Sequence, residues 1–440
     1  LEARQQPRLR IPPGIGGMEK GVYHPAVRRS LPDWLAFIER QHPQPIALGL
    51  DRVREVLARM NIRLQCPVIT VGGTNGKGST CAMLESILRA GGYRTGLYTS
   101  PHLVHYNERV RVVGVELEDA PLCEAFAAVE QARAGIPLTY FEFGTLAALW
   151  LFSKEKIEAA VLEVGLGGRL DAVNVLDPDC AVLTSVGIDH VDYLGPDRES
   201  IGREKAGIFR AGRPAVIAEP DPPQSVMRAA GEKLLLGKEF GFTRQENQWT
   251  YWGPRGQRAG LAYPALRGGI QLRNAAAALC ALDAIELAIA MQDVRRGLAE
   301  VTLPARFQVL PGRPQVILDV AHNVEAAQTL ADNLSSSGYS SESIAVCGML
   351  RDKDIAGVLH ALAPRITRWH FASLPGPRGA SAEELARNID GAVEKFESPT
   401  QAFVAAKGRA EEGDKIVVFG SFLTVGEVMA WLQKNKTSKR

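Results

Sequence analysis

The sequence predicts an α/β protein with mostly parallel sheets, organised as a nucleotide-binding domain followed by a smaller α/β domain. Three observations carry this. Short β-branched apolar runs alternate with longer helical patterns, as βαβ units do. The alternation occurs twice, on either side of an interval with three prolines and no sustained period. A glycine-rich turn bearing Lys and Ser/Thr joins the first clear strand to an amphipathic helix. A length of 440 residues suits two or three domains.

In chain order, Leu1 to Gly17 carries arginines but no apolar core, so it reads as a disordered extension or expression remnant ahead of Met18 and not as a secretory signal. Strands are expected at Pro67 to Val71, Thr95 to Tyr98, Ala159 to Val164, Cys180 to Thr184 and Pro214 to Ala218. Lys238 to Arg267, rich in Gly, Trp, Tyr and Arg, alternates like hairpins and reads as an antiparallel excursion. Leu298 to Pro314 reads as the link, with the boundary near residue 303, giving domains 18–303 and 304–440. A second series of strands follows at Gln315 to Val320, Ser343 to Cys347, Arg368 to Ala372 and Lys415 to Phe419. In open parallel sheets ligands collect beyond the carboxyl ends of strands, which directs the search for a site.

Composition excludes several classes. Lys and Arg number 51 against 49 acids, so nothing favours duplex nucleic acid or an anionic membrane as partner. The longest apolar runs, such as Leu146 to Phe152 and Ala275 to Leu282, fall short of the roughly 20 residues a spanning helix needs. Six scattered cysteines without a CxxC pair read as free thiols of a reducing cytoplasm.

The strongest local signal is VITVGGTNGKGSTCAMLESIL, Val68 to Leu88. Its glycines let backbone N–H groups converge on phosphate oxygens, the helix start adds its positive dipole end, and Lys77 adds a mobile charge. The spacing departs from GxxxxGK[ST], because Val71 stands at its first position and Gly78 separates Lys77 from Ser79. A ligand-free glycine turn is the plainer alternative. Glu163, at the tip of an apolar run, is placed like the carboxylate that holds magnesium in phosphate-loop proteins; a capping acid is the alternative. His190 and Ser100 each follow a separate strand on the same edge as Lys77, although a lone His is more often structural and a Ser before proline is usually a turn residue. Lys205 lies in a helical stretch whose Ile201, Ala206 and Phe209 face inward, and by default it is a solvated lysine.

Together GGTNGKGST, YTSPHLVHYNERV, TYFEFGTLAAL, LEVGLGGRLDAVN, TSVGIDHVDYLG, REKAGIFR, LRNAAAAL, LPARF and DVAHN, in this order from about Pro32 to Trp431, resemble bacterial folylpolyglutamate synthase/dihydrofolate synthase, a branch of the Mur ligases. The resemblance implies a phosphate-loop ligase domain and a smaller Rossmann-like carboxyl-terminal domain. It implies ATP-dependent amide formation: a pteroate or folate carboxylate takes the γ-phosphoryl of ATP, and L-glutamate attacks the acyl phosphate. Dihydropteroate and reduced folates would be the substrates, in a cytoplasmic monomer.

Carried over by that resemblance, Thr74, Asn75, Gly76, Lys77, Gly78 and Ser79 would cradle the ATP phosphates, with Asn274, Arg306 and Asp319 as further nucleotide contacts. Ser100 and Glu163 match ligands of a first Mg2+ and His190 a ligand of a second. Lys205 matches a lysine that is carbamylated in this family and orients the second ion. Lys77, His190 and Lys205 would thus serve catalysis. For the pterin the matching stretches are Ile46, Ala47 and Leu48; Thr139, Tyr140, Phe141 and Glu142; and Leu170, Asp171 and Ala172.

Three positions depart from the family pattern. Ala47 replaces a common Asp, which removes an acid from the pterin loop; Val324 follows DVAHN in place of Pro; and Leu423 stands where related sequences often have His, so it is given no catalytic role. A Mur-type peptidoglycan ligase and a phosphate-loop NTPase switch without ligase activity are the alternatives.

Overall fold

Six parallel strands form the larger sheet, in the spatial order Thr95–Tyr98, Ala159–Glu163, Val68–Gly72, Cys180–Leu183, Pro214–Ile217 and Glu232–Leu235. Two short antiparallel strands, Val110–Val112 and Val115–Glu116, extend its Thr95 edge. The computed structural model describes residues 29–437, so the predicted extension at 1–17 and Met18 lie outside the described residues.

The central strands are buried on both faces, which is why they read as unbroken apolar runs. Alternate side chains feed two cores. Ile69 and Val71 point to one that contains Met83, Leu84 and the alanines of helix Gln271–Ala284. Val68, Leu162 and Leu183 point to the other, with Phe126, Phe143 and Phe152. The expected excursion is present as a three-stranded antiparallel sheet, Gly241–Arg244, Trp249–Gly253 and Gly256–Leu261. Tyr251 (2.8 Å) and Arg258 (2.6 Å) fasten it to the buried Asp283.

The second sheet runs Gln308–Leu310, Gln315–Leu318, Lys415–Phe419, Ser343–Cys347, Arg368–Ala372, Val393–Phe396, parallel except for the first strand. The interval expected to lack regular structure therefore contributes an antiparallel edge strand, and helix Met291–Glu300 runs into it. A three-residue strand is too short to leave a period in the sequence. All six cysteines are free. Among the described residues no helix is long and apolar enough to cross a membrane.

Candidate active site

The central strand Val68–Gly72 lies between strands that come later in the chain on both sides, so the phosphate loop leaves the sheet where strand order reverses. Gly73 (φ 147°) and Gly76 (φ 90°) supply conformations that other residues resist. A Cβ on Gly73 would lie 1.9 Å from Thr184 Oγ1. That hydroxyl donates to the Asn75 carbonyl (2.6 Å), Ser185 Oγ accepts the Asn75 N–H (2.9 Å), and Thr74 Oγ1 accepts the Gly187 N–H (2.9 Å). The loop is thus laced to the end of the neighbouring strand before any ligand arrives. Lys77 begins helix Lys77–Ala90, and its ammonium donates to the carbonyls of Gly73 (3.0 Å) and Thr74 (3.2 Å).

One cavity of about 550 Å³ contains every nucleotide and metal candidate: Thr74 through Ser79, Ser100, Glu163, His190, Lys205, Asn274, Arg306 and Asp319. Glu163 is buried and accepts the Ser100 N–H (3.2 Å). Burial raises its pKa, opposed by Lys77, the Ser100 N–H and Arg306. Asn274 is buried beside Gly76, with an amide oxygen that has no hydrogen-bond partner. Arg306 stands between two strained positions, Ala305 (φ 57°), whose N–H is accepted by Gln308 (2.9 Å), and Phe307 (φ 46°), which is clamped by Asp319, whose carboxylate accepts the Phe307 and Ala321 N–H groups (both 2.8 Å). Its guanidinium lies 5.2 Å from the Phe422 ring.

Lys205 overturns the default of a solvated side chain: it is 5% exposed, near the end of helix Arg198–Ala206. Burial, reinforced by Lys77 and opposed by Asp189 and Asp171, pulls its pKa down to about 7. His190 adopts φ 53°, and burial lowers its pKa to about 4, leaving a neutral imidazole. Among the described residues no three His, Cys, Asp or Glu side chains group at metal-holding distances. Glu163 nevertheless fits a hard cation, being a buried carboxylate with one backbone hydrogen bond at the mouth of a phosphate loop, where Mg2+ takes one or two protein ligands and completes its shell with phosphate oxygens and water.

The pterin candidates do not line this cavity; they gather beside it. Gly49 N–H donates to the Leu170 carbonyl (3.4 Å), and Arg52 donates to both the Ala47 carbonyl (2.8 Å) and Glu142 (2.7 Å). Thr139 and Glu142 form a reciprocal cap on helix Tyr140–Lys154. Asp171 accepts the N–H groups of Gly165 (3.0 Å), Leu166 (2.8 Å) and Val173 (3.0 Å), and burial raises its pKa to about 7 against them. Phe141 covers Gly165, which itself lines the cavity and leaves no room for a Cβ. Leu423, given no role from sequence, also lines the cavity and brings no polar group.

Sequence reasoning missed Asp189 and Arg109, which line the cavity, and Asn323 beside it. Asp189 pairs with Lys353 (2.6 Å) from the second sheet's half. Asn75 and Asn323 exchange amide hydrogen bonds (3.2 and 3.0 Å) across the same gap. Arg109, 9% exposed, donates from Nε to His102 Nδ1 (2.8 Å). All three lie inside motifs quoted from the sequence; the partners of Asp189 and Asn323 lie far away in the chain, whereas His102 stands seven residues before Arg109 in the same motif.

The fold and site define a class. Residues 71–282 match the Mur ligase middle domain, and 305–422 the Mur ligase glutamate ligase domain. Within that class, the Escherichia coli (strain K12) dihydrofolate synthase/folylpolyglutamate synthase is 47% identical over 410 residues, covering 92% of this chain and 96% of the relative. Escherichia coli FolC in complex with DHPP and ADP superposes with a TM-score of 0.89 at 45% identity, covering 93% and 99% of the two chains. A Yersinia pestis bifunctional folylpolyglutamate synthase/dihydrofolate synthase complexed with AMPPNP and Mn gives 0.86 at 46%, covering 92% and 98%. The chain belongs to the dihydrofolate synthase/folylpolyglutamate synthase family.

Proposed function

We propose that this chain is an ATP-dependent ligase that joins L-glutamate to dihydropteroate and to the glutamate tail of reduced folates, working in the bacterial cytoplasm. One observation carries the reading: the phosphate loop, Glu163 and Lys205 share a single cavity with Arg306 and Asp319 of the second sheet's half. A simple NTPase switch does not need that second wall, and the relatives are folate ligases rather than peptidoglycan ligases. We divide the chain near residue 303, between the two sheets.

A carboxylate is a poor acyl donor because oxide would have to leave, and phosphorylation supplies a better leaving group. The first barrier is repulsion between two anions, which positioned cations lower. Loop N–H groups and Lys77 hold the triphosphate, and Lys77 exchanges its two carbonyl partners for phosphate oxygens. Arg306 reaches the same phosphates from the opposite wall; a Cβ on Gly78 would lie 3.5 Å from its Nη2. Ser100, Glu163 and His190 would hold two Mg2+ ions, which supply charge neutralisation at the γ-phosphate. Carbamylation of Lys205 requires an uncharged amine, and a lysine whose pKa is about 7 provides one at neutral pH. The carbamate would turn a buried cation into a carboxylate-like ligand. Tyr140, Phe141 and the Ile46–Leu48 and Leu170–Ala172 stretches would seat the pterin.

The test is ATP turnover with glutamate and, in turn, dihydropteroate, tetrahydrofolate or a UDP-muramoyl peptide. Stimulation by both pterin substrates is expected. Stimulation by the muramoyl peptide alone, or turnover indifferent to glutamate, overturns the reading.

A further inference from the structure

Arg109 is a nearly buried cation that forms no ion pair with a carboxylate among the described residues, although its charge is felt by the buried Glu163. It ends the turn Tyr106–Arg109 and lines the main cavity. Its contacts among the described residues are His102 Nδ1, which accepts from Nε at 2.8 Å, and the rings of Tyr106 and Tyr140, each centred 5.4 Å from the guanidinium carbon. Removing a guanidinium from water without a hydrogen-bonded carboxylate is costly, and aromatic faces and the more distant charge of Glu163 return only part of that cost. A cation kept in this state at a cavity wall is kept for an anion that arrives from solution.

Its position selects which anion. The Arg109 carbonyl accepts the Thr99 N–H (2.9 Å), so its backbone is pinned next to Ser100, whose own N–H meets Glu163 (3.2 Å). On the other side the guanidinium sits against Tyr140, the first residue of the helix that also carries Phe141. Arg109 therefore stands between the phosphate end of the cavity and the aromatic seat beside it. The phosphates already have Lys77 and Arg306. In a substrate with a fused ring at one end and a reacting group at the other, the atoms that fall at Arg109 are those of the reacting carboxylate.

The geometry points to Arg109 as the residue that receives the substrate carboxylate to be activated, its guanidinium edge pairing with the carboxylate while His102 and the two tyrosines fix its plane. This rests on the folate-ligase reading above. In the step it serves, a carboxylate oxygen forms a bond to the γ-phosphorus as the bond from that phosphorus to the bridging oxygen breaks, and ADP leaves with the electron pair. Arg109 transfers no proton. It offsets the charge of the attacking carboxylate and holds its free oxygen away from the phosphate.

The measurement is equilibrium binding of dihydropteroate and of its carboxamide analogue, which keeps the ring and the size but has no charge. Wild-type protein should prefer the acid by about tenfold to a hundredfold, the range for a hydrogen bond to a charged group. In Arg109→Gln the preference should fall to near unity, through loss of acid affinity alone, with binding of an ATP analogue unchanged. Arg109→Lys, which keeps charge without the planar fork, should lose severalfold of the preference and serves as the test should the Gln variant fail to bind the ATP analogue. An undiminished preference in a variant that binds the ATP analogue overturns the assignment. A wild-type protein that binds neither pterin overturns the folate reading, and the assignment with it.

Discussion

A buried lysine costs folding free energy, and Lys205 carries that cost close to a second cation, Lys77. Its pKa falls from 10.5 in water to about 7 in the fold. Between those values the unfolded chain binds more protons than the folded one, so Lys205's contribution to stability rises as pH climbs from about 7 to 10.5 and is missing below. At pH 7 the missing amount is on the order of 4 kcal/mol. Lys205→Met should therefore hold or raise the melting temperature at pH 7 in CO2-free buffer, and a clear drop would contradict the burial argument. Activity should move the other way. Lys205→Ala should lose about a hundredfold or more of ligation while keeping ATP binding, with partial recovery in acetate, as expected if a carboxylate-like group helps hold a metal ion that would neutralise phosphate charge. Wild-type turnover in that variant would remove Lys205 from the site. Nothing local in REKAGIFR distinguishes a buried lysine from a solvated one, because its neighbours Lys77, Asp171 and Asp189 come from distant parts of the chain; only the family resemblance singled it out.

At the scale of elements, the phosphate loop was legible because its demands are local: glycines for the turn, a helix start and a lysine within a few residues. Glu163, Ser100 and His190 were legible as strand-end residues for the same reason that parallel sheets collect ligands there. What the sequence could not display is the lacing of the loop to Thr184 and Ser185 on the neighbouring strand. Gly73→Ala tests that lacing. Its Cβ would collide with the Thr184 hydroxyl and require a φ of 147° that alanine resists. The variant should fold with a loss of about 1–3 kcal/mol and bind an ATP analogue at least tenfold more weakly, as read by denaturant melts and calorimetry. Unchanged nucleotide affinity would mean that the loop reaches its binding form by another path. The pterin stretches show the opposite limit. Thr139 and Glu142 were singled out by resemblance, yet their side chains are engaged in capping their own helix and in pairing with Arg52, whose part in joining Ala47 to Glu142 has no sequence signature.

The whole molecule depends on contacts between two halves, and the sequence reading, which put nucleotide contacts on both, could not name the contacts that join them. Leu103 of the first half packs into the core of the second, close to the backbone of Gly426. Beside the cavity, the reciprocal Asn75–Asn323 amide pair and the Asp189–Lys353 ion pair bridge the same gap. Both partners of the ion pair are nearly buried, at 6% and 9% exposure. Burial alone would raise the pKa of Asp189, but His322, His190 and Lys353 outweigh it and hold the carboxylate well below the usual range. A depressed carboxylate contributes stability that is present above its unfolded pKa and is lost only as pH falls through the folded one, so this bridge should persist across roughly pH 5 to 8. Lys353→Met leaves Asp189 buried without its ammonium, a loss of about 3–5 kcal/mol if the halves stay together. The cheaper outcome is for them to separate and hydrate the carboxylate. Small-angle scattering should therefore report a larger radius of gyration for Lys353→Met than for wild type at neutral pH, with a lower kcat, because Arg306 and Asp319 are carried away from the phosphate loop. Adding Asp189→Asn removes the stranded charge and should restore part of the compactness without restoring full activity. A single variant as compact as wild type would show that the remaining contacts, among them the asparagine pair, Leu103 and the Asn75–Glu325 hydrogen bond (2.9 Å), hold the halves together without this ion pair.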